Sequence, residues 1–220
     1  MTGDWTAFWH RMANLRWSAT DQHVLEVVGD LLGWGPGRTL LELGAGRGWH
    51  SRVLNMTGRC GDLTLCDTAP EAQTVGHRSV PNAYIQSHPT GQHDVVWSFG
   101  LVEHFDPADA KARQDIIDRH FAHSCDWVVI VVPAATWTRR MFRPRGEVPD
   151  QWGYTVEELQ MRMLGGAYRH WGWPYSIEMA TFAPLFGIRH IPDAFYWPLT
   201  RLFGWLLPKN LLVGVARRYA

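Results

Sequence analysis

The residues best suited to chemistry are one carboxylate and three glycines within the stretch Thr39–Ser51. Glu42 interrupts an apolar run that predicts a buried parallel strand, and Gly44, Gly46 and Gly48 follow at alternate positions. Glycine is required where the backbone takes positive φ, or where a ligand approaches the main chain too closely for a Cβ atom. This strand-to-helix turn is therefore predicted to hold a small ligand.

A phosphate group is not the expected ligand of this turn. A dinucleotide-binding turn has the spacing G-x-G-x-x-G, but Trp49 stands where its third glycine would lie. The phosphate loop G-x-x-x-x-G-K-[ST] is excluded because the only two lysines are Lys111 and Lys209. The simplest alternative is an ordinary glycine turn of an α/β protein, with no ligand.

The segment LELGAGRG, residues 41–48, resembles the first motif of the class I S-adenosylmethionine-dependent methyltransferases. The resemblance extends from about residue 20 to the C-terminus and is firmest from Leu40 to Pro133. It implies an α/β fold with a Rossmann-like seven-stranded sheet, six strands parallel and one antiparallel, and helices on both faces. It also implies S-adenosyl-L-methionine as the cofactor, with Glu42 organising the glycine loop and the ammonium end of the methionine.

Further candidate cofactor residues follow the later strands. Asp62–Cys66 is predicted as strand two, and a carboxylate at its end, Asp67, can accept both hydrogen bonds of a ribose diol. The alternative role for Asp67 is to begin the next helix. Ala83–Ile85 is the predicted third strand. The resemblance assigns the cofactor to Glu42, Gly44, Ala45, Gly46, Gly48, Asp67, Thr68, Gln86, Ser98, Phe99 and Gly100, with Gln86 replacing the more common aspartate that accepts from the adenine amine.

The segment FGLVEHFD follows the predicted fourth strand, Asp94–Ser98, and resembles the family segment that borders the transferred methyl group. His104 is its candidate general base, and the alternative is a histidine that only stabilises the loop. Some relatives bind a metal through E-x-x-E-H, but here Gly100 replaces the first glutamate. Glu103 and His104 alone make a poor magnesium site, so no metal is predicted.

The rest of the chain is predicted to complete one domain. Two N-terminal amphipathic helices are expected before Gly33, and the later elements follow from apolar patterning and caps. The later elements are a covering helix over 107–121, a fifth strand over 126–132 ended by Pro133, an irregular loop over 136–153, a helix from Thr155 to about Trp171, and strands over 175–182 and 210–218, the last implied to be the antiparallel one.

Thirteen tryptophans distinguish the composition, and many fall outside the predicted strands. Trp9, Trp137, Trp152 and Tyr154 are the predicted acceptor-binding residues, and Trp171 and Trp173 lie in segments expected beside them. The domain spans 1–220, with residues 1–33 as a helical lid and residues 134–174 and 183–208 as insertions on the substrate side. The alternative is that many of these rings pack in the core.

Composition and charge exclude several classes of protein. The formal net charge is zero and no basic tract favours nucleic acid. No stretch reaches the roughly 20 apolar residues that span a bilayer, and the N-terminus lacks a signal-peptide core. Three cysteines without C-x-x-C spacing argue against a disulfide framework and a zinc site, and favour the cytoplasm. The apolar segment 183–208 leaves a peripheral membrane contact or an oligomer contact open.

The sequence therefore predicts an enzyme that moves the methyl group of S-adenosyl-L-methionine to a small, apolar or aromatic molecule, with an oxygen or nitrogen acceptor favoured. Two alternatives stay open. One is a catalytically silent accessory subunit that binds the cofactor, and the other is a methyltransferase acting on a lipid or a protein.

Overall fold

Seven strands of this chain pair into one sheet, seen in a computed structural model that describes residues 37–70, 72–73, 83–135, 152–182 and 211–219, with Leu25, Val28 and Pro198. In chain order the strands are β1 (Leu40–Leu43), β2 (Leu63–Cys66), β3 (Tyr84–Gln86), β4 (His93–Phe99), β5 (Ser124–Pro133), β6 (Tyr175–Phe182) and β7 (Leu211–Arg218). Their spatial order is β3-β2-β1-β4-β5-β7-β6. β7 is antiparallel to both of its neighbours and all other pairs are parallel, which confirms the predicted fold class.

Three described α-helices and one 3-10 turn accompany the sheet. They are α1 (Trp49–Met56), the turn Val102–His104, α2 (Ala110–Ala122) and α3 (Val156–His170). The Asp109 side chain caps α2 by accepting from the N–H of Ala112, and Thr155 caps α3 by accepting from the N–H of Glu158. Within the described ranges, no helix combines the length and apolar character needed to cross a membrane.

The central strands of this sheet, such as β1 and β5, are buried on both faces and read as nearly continuous apolar runs, whereas the edge strands β3 and β6 are partly exposed. Alternate residues of β5 enter two different clusters. Val129 packs in a cluster with Leu54 of α1, whereas Ile130 packs with Ile117 of α2 and Leu159 of α3. The helices therefore lie on both faces of the sheet, as predicted.

The predicted elements in the described ranges are all present, with ends displaced by a few residues. The largest change among the strands is in β5, which begins at Ser124 instead of Asp126 and includes Pro133. Pro133 has no N–H, but its carbonyl oxygen accepts from the N–H of Tyr154 at 3.0 Å, and it faces Leu211 in the antiparallel register. It ends the strand as its last paired residue.

The two N-terminal helices, most of the 136–153 loop and the 183–208 segment lie outside the described residues. From the second predicted helix only Leu25 and Val28 are described. Both are buried in the cluster that contains Leu54 of α1. Their burial agrees with the apolar face predicted for that helix.

Candidate functional site

The glycine loop between β1 and α1 has the backbone that its spacing predicts. Gly44, Gly46 and Gly48 have φ values of 64°, 51° and 63°. A Cβ atom on Gly48 would lie 2.4 Å from Leu65 Cδ1, and one on Gly44 would lie 2.7 Å from Leu101 Cδ1. Two of the three glycines are therefore required by close packing against the protein itself as well as by positive φ.

Substitution of Gly48 by alanine is expected to destabilise the fold more than the same change at Gly58. Gly58 also has positive φ, at 69°, but an added Cβ there would meet nothing within 4 Å. Gly58→Ala should cost about 1–2 kcal/mol for backbone conformation alone, and Gly48→Ala a further 1–3 kcal/mol, roughly, for overpacking against Leu65. Urea unfolding of both variants measures the difference, and equal losses would contradict the packing argument.

Glu42 places a carboxylate inside the sheet, directly before the glycine loop. Its side chain is 2% exposed, and burial raises its pKa to about 7, although His50 and hydrogen bonds from Ser51 favour the charged form. Trp97 Nε1 donates to the Ser51 hydroxyl at 2.9 Å, which orients that hydroxyl. Glu42 Oε2 has no hydrogen-bond partner among the described residues. A buried carboxylate oxygen with an open acceptor position is suited to an incoming donor.

Asp67 joins the ends of β1 and β2. Its Oδ2 accepts from the N–H of Gly46 at 2.9 Å, and its Oδ1 accepts from the N–H of Ala69 at 2.9 Å. Burial raises the pKa of this carboxyl, and the two N–H donors oppose that rise. Two oxygens offer about four acceptor positions, so capacity for a diol remains. Asp67 thus accepts a hydrogen bond from the glycine loop itself. The neighbouring Thr68 is exposed.

Two further contacts bring the ends of β1, β2 and β3 together. Ala45 donates its N–H to the Cys66 carbonyl oxygen at 3.0 Å, and Asp67 donates its N–H to the Gln86 carbonyl oxygen at 3.1 Å. Gln86 Oε1 accepts from the Thr90 hydroxyl at 2.9 Å, and its buried Nε2 has no partner among the described residues. The side chain therefore keeps a donor open, whereas the sequence suggested an acceptor for an amine.

At the end of β4, the Ser98 hydroxyl is turned away from the candidate site, so only the backbone of this residue can take part in it. Ser98 is fully buried and its Oγ lies 2.8 Å from His120 Nε2, on the α2 side of the sheet. Burial lowers the pKa of His120 to about 4, so the ring is neutral at pH 7. Because His120 Nδ1 lies 2.8 Å from the Ile116 carbonyl oxygen, Nδ1 carries the proton and Ser98 donates to Nε2. The Ser98 side chain is thus engaged with α2, so that only its main chain is left for a cofactor, and its cofactor role stays a prediction.

Phe99 and Gly100 complete the edge beside the glycine loop. The Phe99 ring lies over the His50 ring with centroids 4.2 Å apart, so α1 and the end of β4 are in contact. Gly100 has φ 76° and donates its N–H to the Val131 carbonyl oxygen at 3.0 Å. Positive φ at Gly100 reverses the chain directly into the 3-10 turn.

The turn Val102–His104 places the predicted base at the carboxyl end of β4. Glu103 is fully buried and His104 is 5% exposed, and the Glu103 carbonyl oxygen accepts from the N–H of Trp152 at 2.9 Å. Across the part of the chain that is described, no group of three or more His, Cys, Asp or Glu residues could hold a metal ion. Metal independence stays a prediction.

Tyr154 is a core residue, which corrects its predicted place in the acceptor pocket. Its side chain is fully buried, its hydroxyl donates to the Val102 carbonyl oxygen at 3.2 Å, and burial raises its pKa to about 12. Trp152, two residues earlier, is half-buried at the same edge and remains a candidate. Trp9 and Trp137 lie outside the described residues.

Trp171 and Trp173 lie at the amino ends of the strands, whereas they were expected at the carboxyl ends. Trp171 Nε1 donates to the carbonyl oxygen of Ser124, the first residue of β5, at 2.9 Å. Trp173 is 79% exposed beside Tyr175. The reason is that α3 runs antiparallel to β5 and returns the chain to the amino ends of the strands. The expectation that these two rings flank the carboxyl ends was wrong.

Sequence reasoning missed Arg113 and the His50–Ser51 pair. Arg113 and His120 lie on the buried side of α2 together with Ile116 and Ile117. The spacing i, i+3, i+4, i+7 places all four on one helix face, so polar residues within an apolar stripe were the available signal. No comparable signal identified His50 and Ser51, which reach Glu42 only because α1 packs on β1.

No protein-family model matches the chain, and no curated protein matches it. Magnesium protoporphyrin IX methyltransferase from Synechocystis PCC 6803, with bound SAH, is similar in structure, with a TM-score of 0.66 at 12% identity over 97% of this chain and 94% of that chain.

Two further structures show the same architecture. The Haloferax volcanii putative methyltransferase, in complex with the Trm112 methyltransferase activator, gives a TM-score of 0.64 at 16% identity over 90% of this chain and 88% of that chain. Burkholderia thailandensis 1,6-didemethyltoxoflavin-N1-methyltransferase, with bound 1,6-didemethyltoxoflavin and S-adenosylhomocysteine, gives 0.62 at 16% identity over 99% and 86%. The chain therefore has the class I methyltransferase fold.

Proposed function

We propose that this protein is a methyltransferase that uses S-adenosyl-L-methionine and acts on a small, apolar or aromatic acceptor. The observation that carries the proposal is the buried Glu42 carboxylate, whose Oε2 keeps an open acceptor position at the start of the glycine loop. An ammonium group is the donor that such an oxygen would bind most strongly. The fold adds support, since α/β sheets bind ligands beyond the carboxyl ends of their strands.

The described residues fit the three polar ends of this cofactor. Glu42 would hold the methionine ammonium, Asp67 would accept from the ribose hydroxyls, and Gln86 lies where the adenine would reach the end of β3. The main chain of 44–48 and of 98–100 would line the space between them. When bound, the cofactor supplies an electrophilic methyl group on a sulfonium, so the protein's task is to orient the acceptor and to accept its proton.

His104 is the proposed proton acceptor, and Trp152 the described residue proposed to touch the acceptor. Both lie at the turn after β4, where Trp152 is bonded to Glu103. Two structures compared above are named for magnesium protoporphyrin IX and for 1,6-didemethyltoxoflavin, which favours a small-molecule acceptor here. The presence of an activator in the Haloferax volcanii complex keeps a partner-dependent enzyme or accessory subunit as the alternative.

We also propose one domain in which residues 1–33, 183–208 and, from the predicted insertion 134–174, only the part before α3 lie on the acceptor side. The bond of the Trp152 backbone to Glu103 supports this for that part. α3 packs in the core, and Trp171 follows it to the amino ends of the strands. A cytoplasmic location is proposed because Cys60, Cys66 and Cys125 are all free thiols. No nucleic-acid partner is proposed for a chain of zero net charge.

Asp67→Ala is expected to lower the affinity for S-adenosylhomocysteine at least about tenfold, because a hydrogen bond to a charged acceptor contributes roughly 1.5–3 kcal/mol. Calorimetric titration measures this affinity. Asp94→Ala is the matched control, since Asp94 Oδ2 likewise accepts a backbone N–H, that of Thr39 at 2.7 Å, but at the amino ends of the strands. Unchanged affinity in Asp67→Ala would remove Asp67 from the site, and no binding by the unmodified protein would remove the proposed function.

The acceptor can be found by incubating a metabolite extract with the protein and the cofactor labelled in its methyl group. Mass spectrometry then identifies the labelled product. Transfer in the extract supports a small-molecule acceptor, transfer only with vesicles or added protein supports a lipid or protein acceptor, and binding without any transfer supports the accessory subunit.

A further inference from the structure

The turn after β4 is held from outside by three hydrogen bonds to its carbonyl oxygens. One donor comes from α2, eight residues further along the chain, and two come from the segment that precedes α3, which is distant in sequence. The bonds are Tyr154 hydroxyl to Val102 at 3.2 Å, Trp152 N–H to Glu103 at 2.9 Å, and Arg113 Nε to Phe105 at 2.9 Å. A backbone segment bonded at three nearly consecutive carbonyls has little freedom to move.

The Tyr154 donor is itself fixed to the end of β5. Its backbone N–H donates to the Pro133 carbonyl oxygen at 3.0 Å, and its carbonyl oxygen accepts from the N–H of Ala135 at 2.8 Å. The preceding residue must be Gly153, because a Cβ atom there would lie 2.8 Å from Ala135 Cα. The close approach of these two backbones fixes the position from which the Tyr154 side chain extends.

Arg113 is the second fixed donor. Its side chain is fully buried, and Nη1 lies 2.6 Å from Glu158 Oε1 on α3. The guanidinium carbon lies 4.1 Å from the centroid of the Tyr154 ring, so the two donors also contact each other. Burying a guanidinium costs solvation free energy that an ion pair offsets only in part, and what the pair supplies here is a defined geometry.

We infer that Arg113 and Tyr154 are positioning residues. They fix the turn Val102–Phe105, and with it Glu103 and His104, beside the carboxyl ends of the strands. This inference rests on the proposed function, which places the reacting groups beside this turn. Order at such a place matters, since a misplacement of about 1 Å can lower a reaction rate by about 10²-fold.

Two conservative variants test the inference. Tyr154→Phe removes only the hydroxyl, and Arg113→Lys keeps the charge but loses the planar fork that bonds Phe105 and Glu158 together. Arg169→Gln is the matched control, because Arg169 also bonds α2 to α3, through Asp118 at 2.6 Å, near the far end of α3. Hydrogen exchange of a peptide covering 101–106 is measured by mass spectrometry, together with turnover, the acceptor KM and the affinity for S-adenosylhomocysteine.

We expect exchange in that peptide to rise about fivefold in Tyr154→Phe and about tenfold in Arg113→Lys, since each loses a hydrogen bond to the turn. Turnover should fall about tenfold in both, while acceptor KM and S-adenosylhomocysteine affinity change less than about twofold. A change confined to turnover is not expected of a merely structural role. Arg169→Gln should leave all these quantities near their values in the unmodified protein.

Unchanged exchange in both variants would overturn the inference, and so would an equal rise in Arg169→Gln, which would indicate general loosening of the helix pair. Failure of the proposed function has a different signature, in which the unmodified protein binds no S-adenosylhomocysteine. The exchange comparison still decides whether the two residues hold the turn.

Discussion

Glu42→Gln is expected to stabilise the folded protein at pH 8 and to weaken cofactor binding. The pKa of Glu42 is raised from 4.5 to about 7 by burial, so the unfolded chain ionises this carboxyl at lower pH than the folded protein does. Its contribution to stability is therefore fully present below pH 4.5 and is lost as the pH rises to about 7. The loss is about 3 kcal/mol, and glutamine avoids it.

Thermal unfolding of the unmodified protein and of Glu42→Gln across pH 4 to 8 measures this effect. His120 contributes in the opposite sense, because burial lowers its pKa from 6.5 to about 4 and its contribution is lost as the pH falls through that range. Both proteins share His120, so the difference between their curves isolates Glu42. Curves that differ by a constant amount at every pH would contradict the assigned titration.

The ionisation of Glu42 should also be detectable when the ligand binds. An ammonium beside Glu42 favours its charged form, so binding at pH 6 should release protons, and calorimetry in buffers of different ionisation enthalpy detects them. Glu42→Gln should bind S-adenosylhomocysteine about 10- to 100-fold more weakly and without this release. Equal affinity and equal proton release in both proteins would place the ammonium elsewhere.

His104→Gln is expected to lower the rate of methyl transfer by roughly 10²- to 10⁴-fold, the usual contribution of a general base. His104 is the last residue of the turn that follows β4 and is only 5% exposed, which suits a group that works in a site shielded from water. Single-turnover kinetics with the acceptor found in the extract measures the rate. The affinity for S-adenosylhomocysteine should persist, because this side chain is not assigned to the cofactor.

His123→Gln is the matched control for that experiment. His123 Nδ1 lies 2.9 Å from the Gly91 carbonyl oxygen, at the amino ends of β4 and β5, so the same replacement there should leave transfer nearly unchanged. Nearly full turnover in His104→Gln would exclude a base at this position. The alternative role, stabilisation of the loop, would instead appear as a lower melting temperature with the rate of the folded fraction retained.

The strands and the glycine loop were predictable because their physical requirements are local. A strand buried on both faces needs a continuous apolar run, as in β5, and a chain reversal at positive φ favours glycine, as at Gly44 and Gly48. Asp67 was also identified correctly as the carboxylate that follows β2. Its bond to Gly46 was not foreseen, because that contact depends on how β1 and β2 are aligned.

The aromatic residues were harder to place because composition carries no direction. Tyr154 and Trp171 have the same aromatic character as a pocket wall, yet each is buried with its polar atom on a backbone carbonyl. Which of these rings line a site depends on the path of α3 and on the polar residues that it covers. Arg113 decides this for Tyr154, since its buried charge occupies the face of the ring.

The hydrogen bond between the backbones of Ala135 and Tyr154 also separates the sheet from a segment whose length can change independently during evolution. The N–H of Ala135 donates to the Tyr154 carbonyl oxygen at 2.8 Å, so the chain leaves β5 and later returns beside it. Residues 136–151 connect the two points in sequence. Lengthening a chain between fixed ends is inexpensive, about 0.6 kcal/mol for each doubling. Added residues in that segment would therefore cost the sheet and the glycine loop little closure free energy. Under the proposed function, changes in length there would redirect the protein to new acceptors without rebuilding the proposed cofactor site.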